Sequence, residues 1–482
     1  MTVKHELWIN GEHTKPESNK YFEVLNPLDD SVYCQAAESN DADINKAVDA
    51  AHACFQTYSK TLAKDIERML CKAADLMERD RAEFTDILID EIGSPINKAN
   101  FEIQYAIGHL RAAAGIARRV TGQTMPSDTA GKISMSVRKP LGVVAAITPF
   151  NVPLIKAAKL VASPLATGNT VVLLPSEEAP TLSYRFAQLL HEAGFPAGSV
   201  NVVSGFGVDV GDTLNSHPLV KTVMFTGSSR VGKHIGEICG RGMKHAVLEL
   251  GGKSPLVILN DADLELAVKT AVFGMFLYQG QACMASSRII VEEGIYDSFL
   301  AAYKAAASQL SMGDLREMST ILGPIISQRQ RDRVRGHIDN AVEKGATLVT
   351  GGEWEGNRCQ PTILTNVTED MTVCYEETFG PVTSVYSVTD YDAALNMAND
   401  TPYGLSSSII TNNLNKALDF AENIDSGMVH INAPTLYDEP HVPFGGTGDS
   451  GFGREGIEVD VEALTEWKWI TIQTPTDEAA AH

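Results

Sequence analysis

From Leu141 onward, short runs rich in β-branched residues alternate with longer amphipathic segments. The first of these runs are LGVVAAI, NTVVLL, VNVV, VKTVMF and HAVLEL, and helices are predicted between them from about Pro153 and Pro180. This rhythm is typical of a parallel sheet covered by helices on both faces, with ligands bound at the carboxyl ends of the strands. The sequence therefore predicts an α/β protein.

The same alternation restarts after Gly251 in PLVIL, SRIIVEE, PVTSVYSV and SGMVHIN, which predicts a second α/β domain. Between Asp41 and about Arg119 the chain is Ala-rich and has helical periodicity. The segment LTEWKWITIQ alternates like an exposed strand, and such a strand generally needs a partner. We expect it to pair with the Thr121–Lys139 region of a neighbouring subunit, and we expect the tail TPTDEAAAH to be loose.

Composition excludes several functional classes. The 482 residues carry 39 basic and 61 acidic side chains, and a net charge of -22 argues against nucleic acid as a partner. No apolar run approaches the roughly 20 residues that span a bilayer, and the amino terminus lacks a signal-like apolar stretch, so a cytoplasmic location away from membranes is expected. The seven cysteines form no C-x-x-C pair, which argues against a disulfide framework or a structural zinc site, and no metal is expected.

Three Gly-rich segments imitate nucleotide-binding motifs. In GSSRVGKH the spacing resembles a P-loop, but His234 stands where a magnesium-binding hydroxyl is required, which argues against an ATPase. GGTGDSG is predicted to be a loop, and GFGVDVG from Gly205 a turn. In VMFTGSSRVG a strand ends at Thr226, and Gly227 and Ser228 precede a helix whose free N–H groups suit a pyrophosphate. A plain strand-to-helix turn is the alternative.

Four further segments carry candidate chemistry. Cys283, in LYQGQACMASSRI, lies among small and polar residues, whereas structural cysteines normally sit among large apolar ones. Asn151 in ITPFNVP is a donor for a developing oxyanion, or else a helix cap. Glu249 ends a strand in LELGG and is a candidate general base, or else a strand-end ion pair. In EETFGPV, Glu377 suits a ribose and Phe379 a flat ring, although Phe379 also suits a core.

These segments occur together in the order and spacing of one family. Through ITPFNVP, FTGSSRVG, LELGGKSP, GQACMASSRI, EETFGPV, NDTPYGLS and PFGGTGDSGFGREG, the chain resembles the aldehyde dehydrogenase superfamily over nearly its whole length. The resemblance implies a Rossmann-like NAD-binding domain (1–118 and 140–250), a catalytic α/β domain (251–432) and a bridging β-arm (119–139 and 464–476). It also implies a homodimer or homotetramer.

The resemblance also implies a mechanism. The Cys283 thiolate attacks an aldehyde carbonyl, and the Asn151 amide and the Cys283 N–H hold the resulting oxyanion. After hydride transfer, Glu249 activates the water that hydrolyses the thioester to a carboxylic acid. The presence of Glu249 favours hydrolysis over transfer to coenzyme A. The alternatives of another class are a thiol hydrolase, for which no histidine falls in a segment expected beside Cys283, and a non-catalytic binding protein.

One departure from the family pattern concerns the cofactor. Leu174 stands where the family usually has a lysine that binds the adenosine ribose and helps to accept a 2′-phosphate. Its loss, with Glu177 kept, favours NAD over NADP. The resemblance places the cofactor against Thr148, Pro149, Phe150, Leu174, Ser176, Glu177, Gly227, Ser228, Gly232, Leu250, Gly251, Glu377 and Phe379.

The substrate is predicted from the same comparison of motifs. DEPHVPFGG, from Asp438, and GQACM are similar to the branch with vanillin, benzaldehyde and salicylaldehyde dehydrogenases, so an aromatic or bulky apolar aldehyde is expected. Lys156 and Lys159 lie three residues apart on one helix face. If that face lines the substrate tunnel, an anionic or hydroxylated aldehyde is favoured, and an aliphatic one is a further alternative. Otherwise the two lysines reach solvent or pair with acids.

Overall fold

The structure is a computed structural model that describes residues 3–474. Residues 1–2 and 475–482 lie outside the described part, and with them the last two residues of the predicted arm and all of the predicted loose tail except Thr474. The amino-terminal region contains five short strands, four helices and the first two arm strands. In chain order these are β1 (Val3–His5), β2 (Leu7–Ile9), β3 (Glu12–Thr14), β4 (Tyr21–Leu25), β5 (Val32–Ala37), α1 (Asp41–Tyr58), α2 (Ala63–Arg79), α3 (Arg81–Ile92), α4 (Ile96–Ile116), β6 (Gln123–Met125) and β7 (Lys132–Pro140).

The first β/α alternation follows, and its strands and helices lie where they were predicted. Its elements are β8 (Val143–Thr148), α5 (Pro153–Ala166), β9 (Thr170–Pro175), α6 (Pro180–Ala193), β10 (Val200–Val202), α7 (Gly207–Ser216), β11 (Val220–Thr226), α8 (Ser229–Arg241) and β12 (His245–Glu249). Both predicted helices start at a proline, which lacks the N–H that a first turn leaves unused. The predicted turn in GFGVDVG is confirmed at Gly205, which has φ +155°, but the remaining residues begin α7.

The second alternation contains thirteen further strands and seven helices up to the end of the described chain. They are β13 (Pro255–Ile258), α9 (Leu264–Phe276), β14 (Arg288–Glu292), α10 (Glu293–Ala307), α11 (Gln328–Glu343), β15 (Thr347–Thr350), β16 (Trp354–Glu355), β17 (Arg358–Cys359), β18 (Thr362–Thr365), α12 (Thr372–Tyr375), β19 (Val382–Val388), α13 (Tyr391–Asn399), β20 (Tyr403–Gly404), β21 (Ser406–Ile410), α14 (Leu414–Asn423), β22 (Met428–Ile431), β23 (Thr447–Gly448), β24 (Gly451–Phe452), α15 (Ile457–Leu464) and β25 (Thr465–Gln473).

Two large sheets form the framework. The first has the order β24-β12-β11-β8-β9-β10-β2-β3, and its five strands from β12 to β10 are parallel. The second has the order β15-β18-β19-β14-β13-β21-β22 and is parallel except for β15. The predicted α/β fold is confirmed, while the domain boundaries stay a prediction. GGTGDSG is not entirely a loop, since it contains β23 and the first residue of the edge strand β24.

Alternate residues of β8 and β9 enter different apolar layers. Val144 and Leu173 pack on the side of α2, α4, α5 and α6. Val143 and Leu174 pack on the other side, against α1, α7 and α8. Helices on both faces explain why the parallel strands are almost continuously buried. None of the helices within residues 3–474 is long and apolar enough to cross a membrane.

A third, antiparallel sheet has the order β25-β7-β6 and forms the arm. Strand β25 pairs with β7 of its own chain, from Thr465 opposite Pro140 to Gln473 opposite Lys132. The expected pairing with a neighbouring subunit was therefore wrong. Helix α15 ends beside the start of the first sheet, where the Leu141 N–H donates to the Leu464 carbonyl, so β25 starts next to the end of β7.

Candidate active site

A strained turn precedes Cys283. Tyr278 and Gln279 have φ values of 50° and 49°, in the left-handed region that non-glycine residues rarely adopt. Gly280 follows with φ +66°, and a Cβ there would lie 2.3 Å from the Gly380 carbonyl oxygen. Buried side chains hold the turn: Gln279 Nε2 donates to the Pro324 carbonyl (2.8 Å), and Gln281 Oε1 accepts from the Ile326 N–H (3.0 Å). Such strain persists only where surrounding contacts impose it, and it is concentrated at functional sites.

Cys283 lies in the turn that follows and is partly exposed. Burial, helped by the carboxylates of Glu377 and Glu249, nonetheless raises the pKa of its thiol to about 12, although the Lys156 charge and the cysteine's own N–H oppose the rise. The side chain is therefore a protonated thiol at neutral pH. A reaction at this sulfur requires a group that removes its proton or stabilises the thiolate.

Asn151 reaches the cysteine turn from the first sheet. It is buried between β8 and α5, and its Nδ2 donates to the Gln281 carbonyl at 2.9 Å. It does not cap α5, since Glu102 Oε1 accepts from the Leu154 N–H in the first turn of that helix. An amide nitrogen carries two hydrogens, so one remains for an oxyanion formed at Cys283. The structure thus brings Asn151 to the cysteine, and its role stays a prediction.

Glu249, at the end of β12, is 2% exposed, and neither carboxylate oxygen has a hydrogen-bond partner within residues 3–474. Burial, followed by the neighbouring Glu455 carboxylate, raises its pKa well above the usual range. A Cβ on Gly445 would lie 2.5 Å from Glu249 Oε1, and a Cβ on Gly252 would lie 2.3 Å from the Cys283 carbonyl oxygen. Gly445 therefore allows a close approach to the acid, and Gly252, three residues after Glu249, allows the chain that follows β12 to pack against the cysteine turn. A buried carboxylate with a raised pKa suits a general base better than a strand-end ion pair.

Lys156 and Lys159 form ion pairs in the interior. Lys156 Nζ lies 2.7 Å from Glu455 Oε2, and Lys159 Nζ lies 2.7 Å from Asp438 Oδ2. The predicted alternative that the lysines pair with acids is confirmed, and the one that they reach solvent is wrong, since both are at most 3% exposed. Sequence reasoning missed both acids as partners. Glu455 lies in PFGGTGDSGFGREG and Asp438 in DEPHVPFGG, 299 and 279 residues from their lysines.

The predicted cofactor residues of the first sheet follow its parallel strands at their carboxyl ends. Ser228 is exposed and caps α8, accepting from the Val231 N–H at 3.5 Å. Gly227 and Gly232 have packing roles: a Cβ would lie 2.4 Å from the Phe225 ring and 2.2 Å from Leu250 Cδ2, respectively. The glycine spacing of this turn thus reflects close strand and helix packing as well as ligand access.

A second group of predicted cofactor residues lies at or just after the carboxyl ends of β8 and β9. Leu174 is 2% exposed and belongs to the apolar layer, so its side chain offers no polar contact. Ser176 Oγ accepts from the Glu178 N–H at 3.3 Å, and Glu177 is partly exposed with its Oε1 3.9 Å from an Arg329 nitrogen. Pro149 and Phe150 are half-buried.

Unpaired hydroxyls supply a test of fit for a dinucleotide. Thr148 Oγ1 and Thr226 Oγ1, at the ends of β8 and β11, are buried without a hydrogen-bond partner in the described chain. Together with the exposed Ser228 and the partly exposed Glu177, they give this edge of the sheet donors and acceptors of the kind that ribose and phosphate groups need. The residues present fit the cofactor.

Glu377 and Phe379 approach from the second sheet. Glu377 Oε1 accepts from the Gly252 N–H at 3.0 Å, a Cβ on Gly251 would lie 2.7 Å from its Oε2, and burial raises the pKa of this carboxyl to about 7. Phe379 has φ +55°, and its ring lies edge-on to Phe150 at 5.7 Å.

Side chains that sequence reasoning missed hold this acidic and aromatic turn. Gln330 Nε2 donates to the Phe379 carbonyl (2.9 Å), Arg333 Nε to the Glu377 carbonyl (3.0 Å) and Lys253 Nζ to the Glu376 carbonyl (2.8 Å). Lys253 lies inside the quoted motif LELGGKSP, which was the available signal. Gln330 and Arg333 lie on α11, outside the motifs of the family resemblance.

Comparison with known proteins identifies the family to which the chain belongs. Residues 13–470 match the model of the aldehyde dehydrogenase family. A vanillin dehydrogenase of Pseudomonas fluorescens is 39% identical over 470 residues, covering 97% of each chain. The structure of a salicylaldehyde dehydrogenase from Pseudomonas putida G7, complexed with salicylaldehyde, has a TM-score of 0.95 at 37% identity and covers 98% of this chain and 99% of that one.

A third similar structure carries a cofactor. The betaine aldehyde dehydrogenase of Staphylococcus aureus, in complex with NAD+, has a TM-score of 0.95 at 31% identity, covering 98% of this chain and 96% of that one. The predicted resemblance, including its aromatic-aldehyde branch, is confirmed. The chain belongs to the aldehyde dehydrogenase family.

Proposed function

We propose that this protein oxidises an aromatic aldehyde to its carboxylic acid with NAD, by a covalent thioester that water hydrolyses. One observation carries the proposal: Glu249, a buried carboxylate without a hydrogen-bond partner in residues 3–474, acts through its charge on the Cys283 thiol and lies three residues before Gly252, which packs against the Cys283 carbonyl. A raised pKa makes this carboxylate a stronger proton acceptor than an exposed glutamate. Such a pair of groups supports a covalent thioester at the sulfur and its later hydrolysis by water.

The chain's own residues divide the work as follows. Cys283 releases its thiol proton to water and attacks the carbonyl carbon as the thiolate, and oxidation of this adduct leaves a thioester. The free Nδ2 hydrogen of Asn151 and the Cys283 N–H stabilise the oxyanion, and Lys156 favours the thiolate by its charge. Glu249 takes a proton from the water that attacks the thioester. The bound nicotinamide supplies the hydride acceptor, and Phe150 and Phe379 provide apolar surface for its ring.

NAD is favoured over NADP by two residues at the end of β9. Leu174 offers an apolar side chain where a cation would hold a 2′-phosphate, and the Glu177 carboxylate repels that phosphate. A Leu174→Lys variant is expected to raise kcat/KM with NADP relative to NAD by about tenfold, because one charge-assisted contact contributes on the order of 1.4 kcal/mol. Steady-state kinetics with both cofactors measures this ratio. An unchanged ratio would contradict the role assigned to Leu174.

The aromatic substrate class is supported by the similar proteins, which are named for vanillin and salicylaldehyde. The first experiment follows the absorbance of reduced nicotinamide while the purified protein is offered aromatic, terpenoid, aliphatic and carboxylate-bearing aldehydes with NAD and with NADP. Selective NAD reduction with aromatic aldehydes is expected. A preference for aliphatic or carboxylate-bearing aldehydes would overturn the aromatic assignment.

A thiol hydrolase is the rival function. The charged groups with the largest effects on the Cys283 thiol are Lys156, Glu377 and Glu249, and none of these is the histidine that such an enzyme uses as its base. Hydrolysis of an activated ester, with no NAD reduction for any aldehyde, would favour the hydrolase.

Assembly and location belong to the same proposal. We expect a homodimer or homotetramer, because the arm sheet exposes apolar side chains of β25. We also expect a cytoplasmic location. Light scattering of the purified protein and fractionation of the source cells test these two expectations.

A further inference from the structure

A cluster of charged side chains adjoins Glu249 on one side of the active site. It contains Lys156, Lys159, Glu455, Asp438 and Tyr105, which are all largely buried. Lys159 Nζ lies 2.7 Å from Asp438 Oδ2 and 3.6 Å from Glu455 Oε2, and Tyr105 Oη donates to the same Asp438 Oδ2 at 2.7 Å. The cluster is thus a continuous network of ion pairs and hydrogen bonds.

The loop from Asp438 to Gly445 connects this network to the catalytic residues. Both ammonium groups lie over the ring of Phe444, at 4.9 Å for Lys156 and 4.3 Å for Lys159. The next residue, Gly445, is the one that packs against Glu249 Oε1. A group held by the cluster is therefore held next to the reacting centre.

The unused hydrogen-bonding atoms of the acids are acceptors. Each ammonium already has a carboxylate partner. By contrast, Asp438 Oδ1 and Glu455 Oε1 are buried without a hydrogen-bond partner anywhere in residues 3–474. A buried, unpaired carboxylate oxygen costs free energy that a hydrogen-bond donor recovers. These two oxygens therefore lack a donor within the described chain, and a bound carboxylate would not supply one.

Asp438 is the more accessible of the two acids. Its side chain is 13% exposed, compared with 1% for Glu455. Its Oδ2 is fully used by Lys159 and Tyr105, so Oδ1 remains for a ligand. An ammonium carries three hydrogens, and the observed pairs leave others for an acceptor. A hydroxyl group, which is both donor and acceptor, matches this arrangement.

We propose that Asp438 is a specificity residue that selects a neutral, hydroxylated aldehyde by accepting a hydrogen bond from the substrate hydroxyl at Oδ1. The lysines hold Asp438 and Glu455 in place and donate to the hydroxyl oxygen. This inference rests on the proposed aldehyde oxidation and names the substrate class within it. The two lysines alone would favour either an anionic or a hydroxylated aldehyde. The hydroxylated aldehyde is favoured here, since an anionic one would meet two buried carboxylates.

The test compares substrates that differ in one group. The three isomers of hydroxybenzaldehyde, the matching methoxybenzaldehydes and the carboxybenzaldehydes are assayed with NAD at a pH where the phenol is neutral. For at least one ring position, kcat/KM for the hydroxy compound is expected to exceed that for the methoxy compound by about tenfold or more, because the ether has no donor for the buried oxygen. The carboxy compounds are expected to be the poorest substrates.

An Asp438→Asn variant tests the residue. Lys159 and Tyr105 both donate to one oxygen, so the amide oxygen takes that position and the NH₂ group replaces Oδ1. This turns the acceptor into a donor, and the hydroxy-to-methoxy ratio is expected to fall to about one. Asp297→Asn, at an exposed position of α10, is the matched control and keeps the wild-type ratio. Thermal unfolding shows whether each variant is folded.

The outcomes separate the two proposals. If the wild type oxidises none of the aldehydes, the proposed function fails. If it oxidises them with a hydroxy-to-methoxy ratio near one at every position, or prefers the carboxy compounds, only the assignment of Asp438 is overturned. An unchanged ratio in a folded Asp438→Asn variant overturns it as well, and if that variant does not fold, the wild-type ratios decide.

Discussion

At the scale of single residues, burial dominates the chemistry of the active site. It raises the pKa of both Cys283 and Glu249, so neither group ionises readily. Lys156 is the residue whose charge most strongly opposes the rise in the Cys283 pKa. It also opposes the rise in the Glu249 pKa more strongly than the other two basic residues that do so. A protonated thiol protects the enzyme from side reactions, and the same apolar surroundings strengthen the acid as a base once it ionises.

Glu249→Gln should separate the two chemical stages. Without the general base, the thioester forms but hydrolyses slowly, so kcat should fall by about 10²- to 10³-fold while a rapid burst of reduced cofactor remains. Stopped-flow absorbance measures the burst. Cys283→Ser is the paired control and should show neither burst nor turnover while still binding NAD. A Glu249→Gln variant with normal turnover would remove this residue from the mechanism.

Lys156→Met should make Cys283 less reactive. The Lys156 charge lowers the pKa of the thiol, so its removal raises that pKa further and reduces the thiolate fraction at a fixed pH. Alkylation by iodoacetamide at about pH 8, measured by intact mass, should slow by about tenfold if the pKa of the thiol rises by about one. Lys156→Arg keeps the charge and should stay close to the wild-type rate. Equal rates in all three proteins would contradict this electrostatic role.

Motifs identified the reacting residues better than their partners. Cys283, Asn151 and Glu249 lie in short segments whose residue types suggested chemistry, and the structure brings all three together. Asp438 and Glu455 were missed as partners because an ion pair depends on how distant segments pack, and a residue pattern contains no such information.

At the scale of elements, α5 shows what periodicity leaves out. The segment was predicted as amphipathic, but all fourteen of its residues are buried, including both lysines. The helix packs between β8 and β9 on one side and α4 on the other. Its polar face therefore meets buried acids where a surface helix would meet water. The sequence predicted the helix and its start correctly, but not its surroundings.

Helix α15 contains an acid that should make stability depend on pH. Asp460 accepts from Ser163 Oγ (2.6 Å) and the Gly456 N–H (3.2 Å), and burial raises the pKa of its carboxyl to about 7. The folded state keeps this proton where the unfolded chain has lost it. This contribution to stability is present at low pH and falls by up to about 1.4 kcal/mol per pH unit between about pH 4 and 7.

Asp460→Asn should remove that dependence. The amide oxygen accepts from Gly456, and the amide nitrogen donates to the Ser163 hydroxyl, so the contacts are kept without a charge. The drop in unfolding temperature from about pH 5 to about pH 8 should therefore be smaller in the variant than in the wild type. Thermal unfolding followed by circular dichroism measures it. Identical drops in both proteins would show that Asp460 keeps an ordinary pKa.

At the scale of the whole molecule, the arm combines a correct prediction with a wrong one. Periodicity in LTEWKWITIQ predicted a strand with exposed residues, and β25 is that strand. The sequence pattern predicted a partner strand in another subunit because it does not show that α15 ends next to β7 of the same chain. Pairing with β7 satisfies one edge of β25 but leaves aromatic side chains in water, with Trp467 47% and Trp469 70% exposed.

Trp469→Glu should therefore weaken the assembly of subunits. Exposed aromatic residues on one strand are typical of a surface that another copy covers, and a buried charge in such an interface costs several kcal/mol. Light scattering after gel filtration should show a dimer or tetramer for the wild type and a smaller species for the variant. Met243→Glu, which changes a 91% exposed methionine outside the arm, is the control and should keep the wild-type mass. A monomeric wild type, or a Trp469→Glu variant of unchanged mass, would exclude this part of the arm from the interface.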